Sequence, residues 1–200
     1  AVPVTVPNSI AIADVDGDGA PDLLVATTSD SGAAQNGGFA NVILNTAGAP
    51  GTFKTGVHYD LTRTNPASIA VANLTGSGAA PLDLAVANSG SGSVSVFIHG
   101  ATAGTFKPAL EVATGGMPNQ VVAADLTGSG RQDLIVADAS ASGNVVLLMA
   151  DPANPGQFLA PAKLPTGAVT MSVAVADVDG DGIPDIVAAT FDAYGNNGAV

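Results

Sequence analysis

Asp14-Val15-Asp16-Gly17-Asp18-Gly19-Ala20-Pro21-Asp22 returns late in the chain as Asp177-Val178-Asp179-Gly180-Asp181-Gly182-Ile183-Pro184-Asp185. Each copy crowds four carboxylates into one tight turn. Two unit negative charges about 5 Å apart repel by roughly 3 kcal/mol at an effective dielectric of about 20. Such a turn calls for a cation among its acids. An all-oxygen donor set at alternating positions suits a hard divalent ion, calcium ahead of magnesium. A merely solvated acidic turn is the plain alternative, but generic turns do not repeat an alternating acid pattern.

The opening Asp-x-Asp-x-Asp-Gly is shared with the EF-hand, and the flanks decide against that motif. An EF-hand needs a helix on each side and a bidentate Glu at loop position 12. That position holds Val25 in the first copy and Ala188 in the second, neither of which binds a metal. The closing acid comes at position 9 instead, as Asp22 and Asp185. Around the first loop, Ser9-Ile10-Ala11-Ile12-Ala13 and Leu23-Leu24-Val25-Ala26-Thr27 alternate or run apolar as strands do. The loop is therefore expected to join two strands.

The loop also belongs to a repeat. Weaker copies lie between the strong ones: Asn73-Leu74-Thr75-Gly76-Ser77-Gly78 with a late Asp83, and Asp125-Leu126-Thr127-Gly128-Ser129-Gly130-Arg131-Gln132-Asp133. First positions 14, 73, 125 and 177 are separated by 59, 52 and 52 residues. A Gly-x-Phe marker keeps step at Gly51–Phe53, Gly104–Phe106 and Gly156–Phe158. Within each unit, the first strands are expected at Ile10–Ala13, Ile69–Ala72, Val121–Ala124 and Val173–Ala176. The second strands follow the loops at Leu23–Thr27, Leu84–Ala87, Leu134–Ala137 and Ile186–Ala189. Third strands fall at Asn41–Asn45, Val94–His99 and Val145–Met149, followed by the Gly-x-Phe turn and a more polar fourth strand. Four strands per repeat, at a period above about 40 residues, is the signature of a β-propeller blade. The expectation is an all-β chain of antiparallel four-stranded blades, about four repeats with the first and last incomplete. The boundaries fall at 1–7 (end of a preceding blade), 8–62, 63–114, 115–166 and 167–200 (partial blade).

The unit resembles the FG-GAP/VCBS repeat, the blade of the integrin α-subunit propeller and of many secreted bacterial proteins. The residues carrying the resemblance are the Asp-x-Asp-Gly-Asp-Gly-x-x-Asp cores followed by Leu23 and Ile186. It implies that the loop joins the first two strands of a blade and binds calcium on one propeller face. By analogy with related loops it implies side-chain ligands at positions 1, 3, 5 and 9 and a backbone carbonyl at position 7. Those are Asp14, Asp16, Asp18 and Asp22 with the Ala20 carbonyl, and Asp177, Asp179, Asp181 and Asp185 with the Ile183 carbonyl. The third loop departs, with Asp125, Thr127, Ser129, Asp133 and the Arg131 carbonyl as a weaker set. In the second loop Asn73, Thr75 and Ser77 are neutral, and Ala79–Leu82 displace Asp83, so no metal is expected there. Two Ca2+ sites are thus expected, with a third in reserve.

Charge supports this reading. Eight of the seventeen acids lie in the two strong loops, and two divalent ions would bring the formal charge from −12 to −8. Five scattered basic residues, Lys54, Arg63, Lys107, Arg131 and Lys163, give no electrostatic footprint for nucleic acid. No apolar run approaches a membrane span. Neither an initiator Met nor a signal peptide is present, which points to a mature or excised segment. The chain is expected to begin and stop inside a blade, with a propeller that continues beyond it favoured over closure on itself. Loops of this kind fill where calcium is millimolar, so an extracellular or cell-surface setting, in a bacterium, is expected.

Catalytic signals are weak. His58 and His99 read as surface or strand-edge residues, and Glu111, the sole Glu, has no identifiable partner in sequence. Asp30, Asp138 and Asp192 follow second strands at comparable places and read as solvated loop acids. Their end of the blades nonetheless carries the ligand-binding expectation, assigned to Asp30, Asn36, Asp192, Tyr194 and Asn196. The preferred reading is a non-enzymatic, calcium-binding extracellular propeller for adhesion or for recognition of protein or glycan. A second is a structural subunit joined through open blade edges into a fibre or sheath. A third is the propeller segment of a secreted polysaccharide lyase or hydrolase.

Overall fold

Alternating apolar residues become strand after strand in the computed structural model, which describes residues 5–29, 37–49, 51–76, 81–192 and 198–199. Sheet 1 holds β1 (Thr5–Ala13), β2 (Asp22–Ser29), β3 (Gly37–Ile43) and β4 (Val57–Thr64). Sheet 2 holds β5 (Pro66–Ala72), β6 (Asp83–Asn88), β7 (Ser93–Phe97) and β8 (Leu110–Ala113). Sheet 3 holds β9 (Pro118–Ala124), β10 (Asp133–Asp138), β11 (Asn144–Leu148) and β12 (Ala162–Pro165). Sheet 4 holds β13 (Val169–Ala176), β14 (Asp185–Phe191) and β15 (Gly198–Ala199). Every strand pairs antiparallel with its sequence neighbour. Among the described residues there is no helix, and so none long and apolar enough to cross a membrane.

The first strands start three to five residues earlier than the alternation alone indicates. Their pairing slips at Pro7/Ser9, Pro66/Ser68 and Thr170/Ser172, and in sheet 3 at Ala137/Asp138. A bulge adds an unpaired residue and breaks the period of two, so the pattern hides the strand's true start. The third strand of sheet 1 also begins early, at Gly37. A β-carbon on Gly38 would lie 2.4 Å from the Pro66 ring and 2.8 Å from the Thr27 carbonyl oxygen, so only glycine fits that close approach. Each Gly-x-Phe turn brings its Phe back beside the end of the third strand, in the isolated bridges Asn45–Phe53, His99–Phe106 and Ala150–Phe158.

The sheets stack in chain order, with the first strands β1, β5, β9 and β13 packed successively against one another. Three apolar layers result, one between each consecutive pair of sheets. β6 and β10, sandwiched on both faces, are buried along their whole length, whereas β14 has a neighbouring sheet on one side and stays half-exposed. Burying one Leu or Val side chain contributes about 1.5–3 kcal/mol, so these layers dominate the fold's stability. Polar staples set the register between sheets. Ser9 Oγ accepts the Ile69 amide at 3.2 Å, Ser68 Oγ the Val121 amide at 3.2 Å, and Gln120 Oε1 the Val173 amide at 2.7 Å.

Candidate metal centres

All four Asp loops connect the first strand of a sheet to the second, so they gather at one end of the stack. The first loop is organised by its position-1 acid. Asp14 Oδ1 accepts the Gly17 amide at 2.7 Å, and its Oδ2 accepts the Gly19 amide at 2.9 Å. Asp16 takes the Asp18 amide and Asp18 takes the Ala20 amide, at 3.1 and 2.9 Å. Gly17 and Gly19 adopt φ of 77° and 85°, a region that L side chains resist. The Asp177 loop is built the same way. Asp177 accepts from Gly180 at 2.8 Å, Asp181 at 3.1 Å and Gly182 at 2.9 Å, and Asp181 accepts from Ile183 at 2.8 Å.

This geometry brings carboxylates together. One oxygen from each of Asp14, Asp16 and Asp18 lies within 4.8 Å of the others, and the same holds for Asp177, Asp179 and Asp185. Two oxygens bound to one calcium ion sit at most about 4.6–5.2 Å apart, so each trio is within reach of a single ion. A purely carboxylate donor set is what a hard divalent cation selects. The trios are exposed or half-buried, open to solvent at the end of the stack. Lys54 Nζ stands 3.5 Å from Asp16 Oδ2 as a partial counter-charge at the first.

The position-9 acids have a second occupation that spacing alone did not reveal. Asp22 is fully buried, with Oδ2 accepting the Val15 amide at 2.9 Å and Oδ1 the Asn45 amide at 2.8 Å. Asp133 accepts Leu126 at 3.0 Å and Ala150 at 2.7 Å, and Asp83 accepts Leu74 at 2.9 Å and His99 at 3.0 Å. Asp185 accepts Val178 at 2.9 Å. Each carboxylate ties the loop to its own sheet, and the first three also tie it to the end of the third strand. Burial pushes the Asp22 carboxyl above its ordinary value, the two amides pull it back, and the charges of Asp16 and Asp14 add to the upward push. Asp83 reaches the same place as its counterparts despite the residues inserted before it, so the insertion does not displace it. His99, just past the end of β7, is half-buried with Nδ1 2.7 Å from Asp83 Oδ1.

The third loop keeps its first and last acids and has hydroxyls where the strong loops have middle acids. Asp125 takes the Ser129 amide at 3.0 Å and the Gly130 amide at 2.7 Å, as Asp14 takes its own. Partial burial opposes ionisation of Asp125, but these amides, with the Thr127 amide and hydroxyl, hold its carboxyl below the ordinary range. Thr127 Oγ1 donates to Asp125 at 3.3 Å, and Ser129 Oγ to the Arg131 carbonyl at 3.4 Å. The Arg131 guanidinium is committed to the Asp151 and Pro152 carbonyls, at 2.8 and 3.1 Å. In the second loop Asn73 Oδ1 accepts the Gly76 amide at 2.9 Å.

At the other strand ends, Asp138 is not a solvated acid. It is buried and accepts the amides of Met117 at 2.8 Å and Ser140 at 3.0 Å, with Asn144 Nδ2 at 3.2 Å. Burial opposes its charge, yet these donors prevail and hold its carboxyl below the ordinary value. Glu111 does have partners: Ser95 Oγ at 2.5 Å and Ser93 Oγ at 3.1 Å. His58 stacks edge-on to Phe39, centroids 5.3 Å apart. Of the ligand-binding set, Asp192 directly follows β14, while Asp30, Asn36, Tyr194 and Asn196 lie outside the described residues.

Residues 125–188 match the family model for the FG-GAP-like repeat. The span runs from the first residue of the third loop into β14 and so includes two of the four loops, in keeping with an FG-GAP/VCBS repeat protein. No curated protein matches the chain.

Proposed function

We propose that this chain is a calcium-stabilised β-propeller segment of an extracellular or cell-surface protein, serving adhesion or recognition of protein or glycan without chemistry of its own. The observation that carries the reading is the convergence of three carboxylates in each strong loop, on a backbone already arranged by its own amides. FG-GAP-like sequence over 125–188 supports the propeller and the extracellular setting. The blades are assigned to 8–62, 63–114, 115–166 and 167–200, except that Thr5–Pro7, paired with Thr27–Ser29, belong to β1 of the first sheet and not to a preceding blade.

Asp14, Asp16 and Asp18 would hold one ion and Asp177, Asp179 and Asp185 the other, with Asp22, Asp181 and the carbonyls of Ala20 and Ile183 completing the shells. Each carboxylate oxygen has two lone pairs, so an amide bond does not bar Asp22 from also facing a metal. Calcium would cancel the repulsion inside each trio. At a free concentration 100 times its dissociation constant, one ion stabilises the fold by about 2.7 kcal/mol.

The test is calorimetric titration of chelator-stripped protein with calcium, alongside thermal melts with calcium or EGTA. Two ions per chain and a higher melting temperature with calcium are expected. Superimposable melts and no bound metal by elemental analysis would sink the reading.

A further inference from the structure

We infer that the hollow between the first Asp loop and the turn after β3 is a seat for the guanidinium of an arginine side chain carried by a partner protein. The site rests on the recognition reading above and names its partner, while needing no calcium. Two turns of the molecule share one hydrogen-bond pattern. After β3, the Thr46 amide donates to the Thr52 carbonyl at 2.9 Å, Thr52 to Ala49 at 3.1 Å, and Ala49 back to Thr46 at 3.0 Å. After β11, Asp151 donates to Gln157 at 2.8 Å, Gln157 to Asn154 at 3.0 Å, and Asn154 back to Asp151 at 3.3 Å. The second of these turns already holds a guanidinium. Arg131, at position 7 of the third loop, donates from Nη1 to the carbonyls of Asp151 and Pro152, at 2.8 and 3.1 Å.

Position 7 of the first loop is Ala20, and the corresponding turn carbonyls are those of Thr46 and Ala47. A hollow of about 420 Å³ stands there, with Asp18, Ala20, Pro21, Thr46, Ala47 and Gly51 on its walls. The Thr46 carbonyl accepts the Ala49 amide as the Asp151 carbonyl accepts Asn154. A carbonyl oxygen has two lone pairs, so that bond does not bar a second donor, as Arg131 shows at Asp151. Asp18 also brings to the wall a negative charge that its counterpart Ser129 lacks. Guanidinium suits the place better than ammonium, because its planar fork reaches neighbouring acceptors and its weak hydration costs little to give up. Sheet 3 has sheet 2 before it, yet the place beside its turn is filled from its own loop. Sheet 2 contributes Gly76 against the Arg131 stem, where a β-carbon would lie 2.9 Å from Arg131 Cγ. A sheet standing in the same way before sheet 1 would therefore flank the hollow and not fill it.

The test is an NMR titration of the isotope-labelled chain with end-blocked Gly-Arg-Gly, at about 0.15 M salt to screen the loop acids. It is run once with saturating calcium and once with EGTA. Saturable amide shifts are expected at the first loop and at Thr46–Gly51, with a dissociation constant in the millimolar range. End-blocked Gly-Lys-Gly should bind at least about tenfold more weakly. Ala20→Arg gives the first loop the third loop's residue and should remove the response by filling the hollow from within. No saturable shift at Thr46–Gly51 up to about 50 mM Gly-Arg-Gly, with calcium or with EGTA, overturns the inference and leaves the calcium titration to stand or fall alone. An equal response to the lysine peptide also overturns it, since that would be diffuse attraction to the acids. So does an undiminished response in Ala20→Arg.

Discussion

The first and third loops share a backbone and differ in what that backbone presents. In both, the position-1 acid gathers backbone amides of the turn, and the position-9 acid binds the loop to its sheet. Between these anchors the first loop carries Asp16 and Asp18 where the third carries Thr127 and Ser129. The turn therefore forms without the middle acids, which beyond their own bonds to the Asp18 and Ala20 amides add mutual repulsion unless an ion sits between them. Positions 1 and 9 serve the architecture as well as the carboxylate trios, and positions 3 and 5 are where the strong loops and the third loop part.

The largest effect should come from the architectural anchor. Asp133→Ala removes the acceptor for the Leu126 and Ala150 amides in a buried site. Each hydrogen bond to a charged group is worth about 1.5–3 kcal/mol, so urea denaturation should show a loss of about 3 kcal/mol or more. That loss should be the same in calcium and in EGTA. A loss below about 1 kcal/mol, or one seen only with calcium, would erase the distinction between anchor and ligand.

Exchanging the middle positions comes next in size. Asp16→Thr with Asp18→Ser gives the first loop the third loop's donors. Calcium titration should then find one ion fewer, and the roughly 2.7 kcal/mol that saturating calcium contributes there should disappear. Stability in EGTA should hold or rise, because the repulsion goes with the acids. The reciprocal change, Thr127→Asp with Ser129→Asp, should add a calcium site to the third loop. If the exchanged first loop keeps its ion, the middle acids are not the ligands.

The same contrast explains what was legible in the sequence. Strand type and order followed from alternation and from the repeat, because Ile10–Ala13, Leu84–Ala87 and their counterparts are apolar runs bounded by turn residues. The starts of the first strands were not legible, since a bulge breaks the period without changing composition. The acid trios were visible because their members are neighbours in sequence. The anchoring role of Asp22, Asp83 and Asp133 was hidden because half of each site comes from just past the end of the third strand, 16 to 23 residues away. A partial signal was present: an acid directly before the apolar run of the second strand survives in every loop, as Asp22, Asp83, Asp133 and Asp185. Glu111 lacked a partner in sequence for the same reason, its serines lying on the neighbouring strand β7.

The smallest effect separates Asp138 from its counterpart in sheet 2. Asn88 occupies the equivalent end of β6, is uncharged, and donates to Ser95 Oγ at 2.8 Å. Asp138 instead holds its charge against burial by accepting from Met117, Ser140 and Asn144. Its carboxyl lies below the ordinary value of 3.8, so the folded state binds the proton less readily than the unfolded chain does. The resulting stability is fully present above that value and is lost as pH falls through it towards the folded value. Asp138→Asn should therefore be less stable than the parent at pH 7. The gap should narrow below about pH 4 and close at lower pH, in melts run with EGTA so that calcium release does not contribute. A gap that stays constant from pH 7 to pH 2 would show that Asp138 acts without its charge, as the neutral Asn88 does, and that its ionised carboxylate contributes nothing to holding the far ends of the strands.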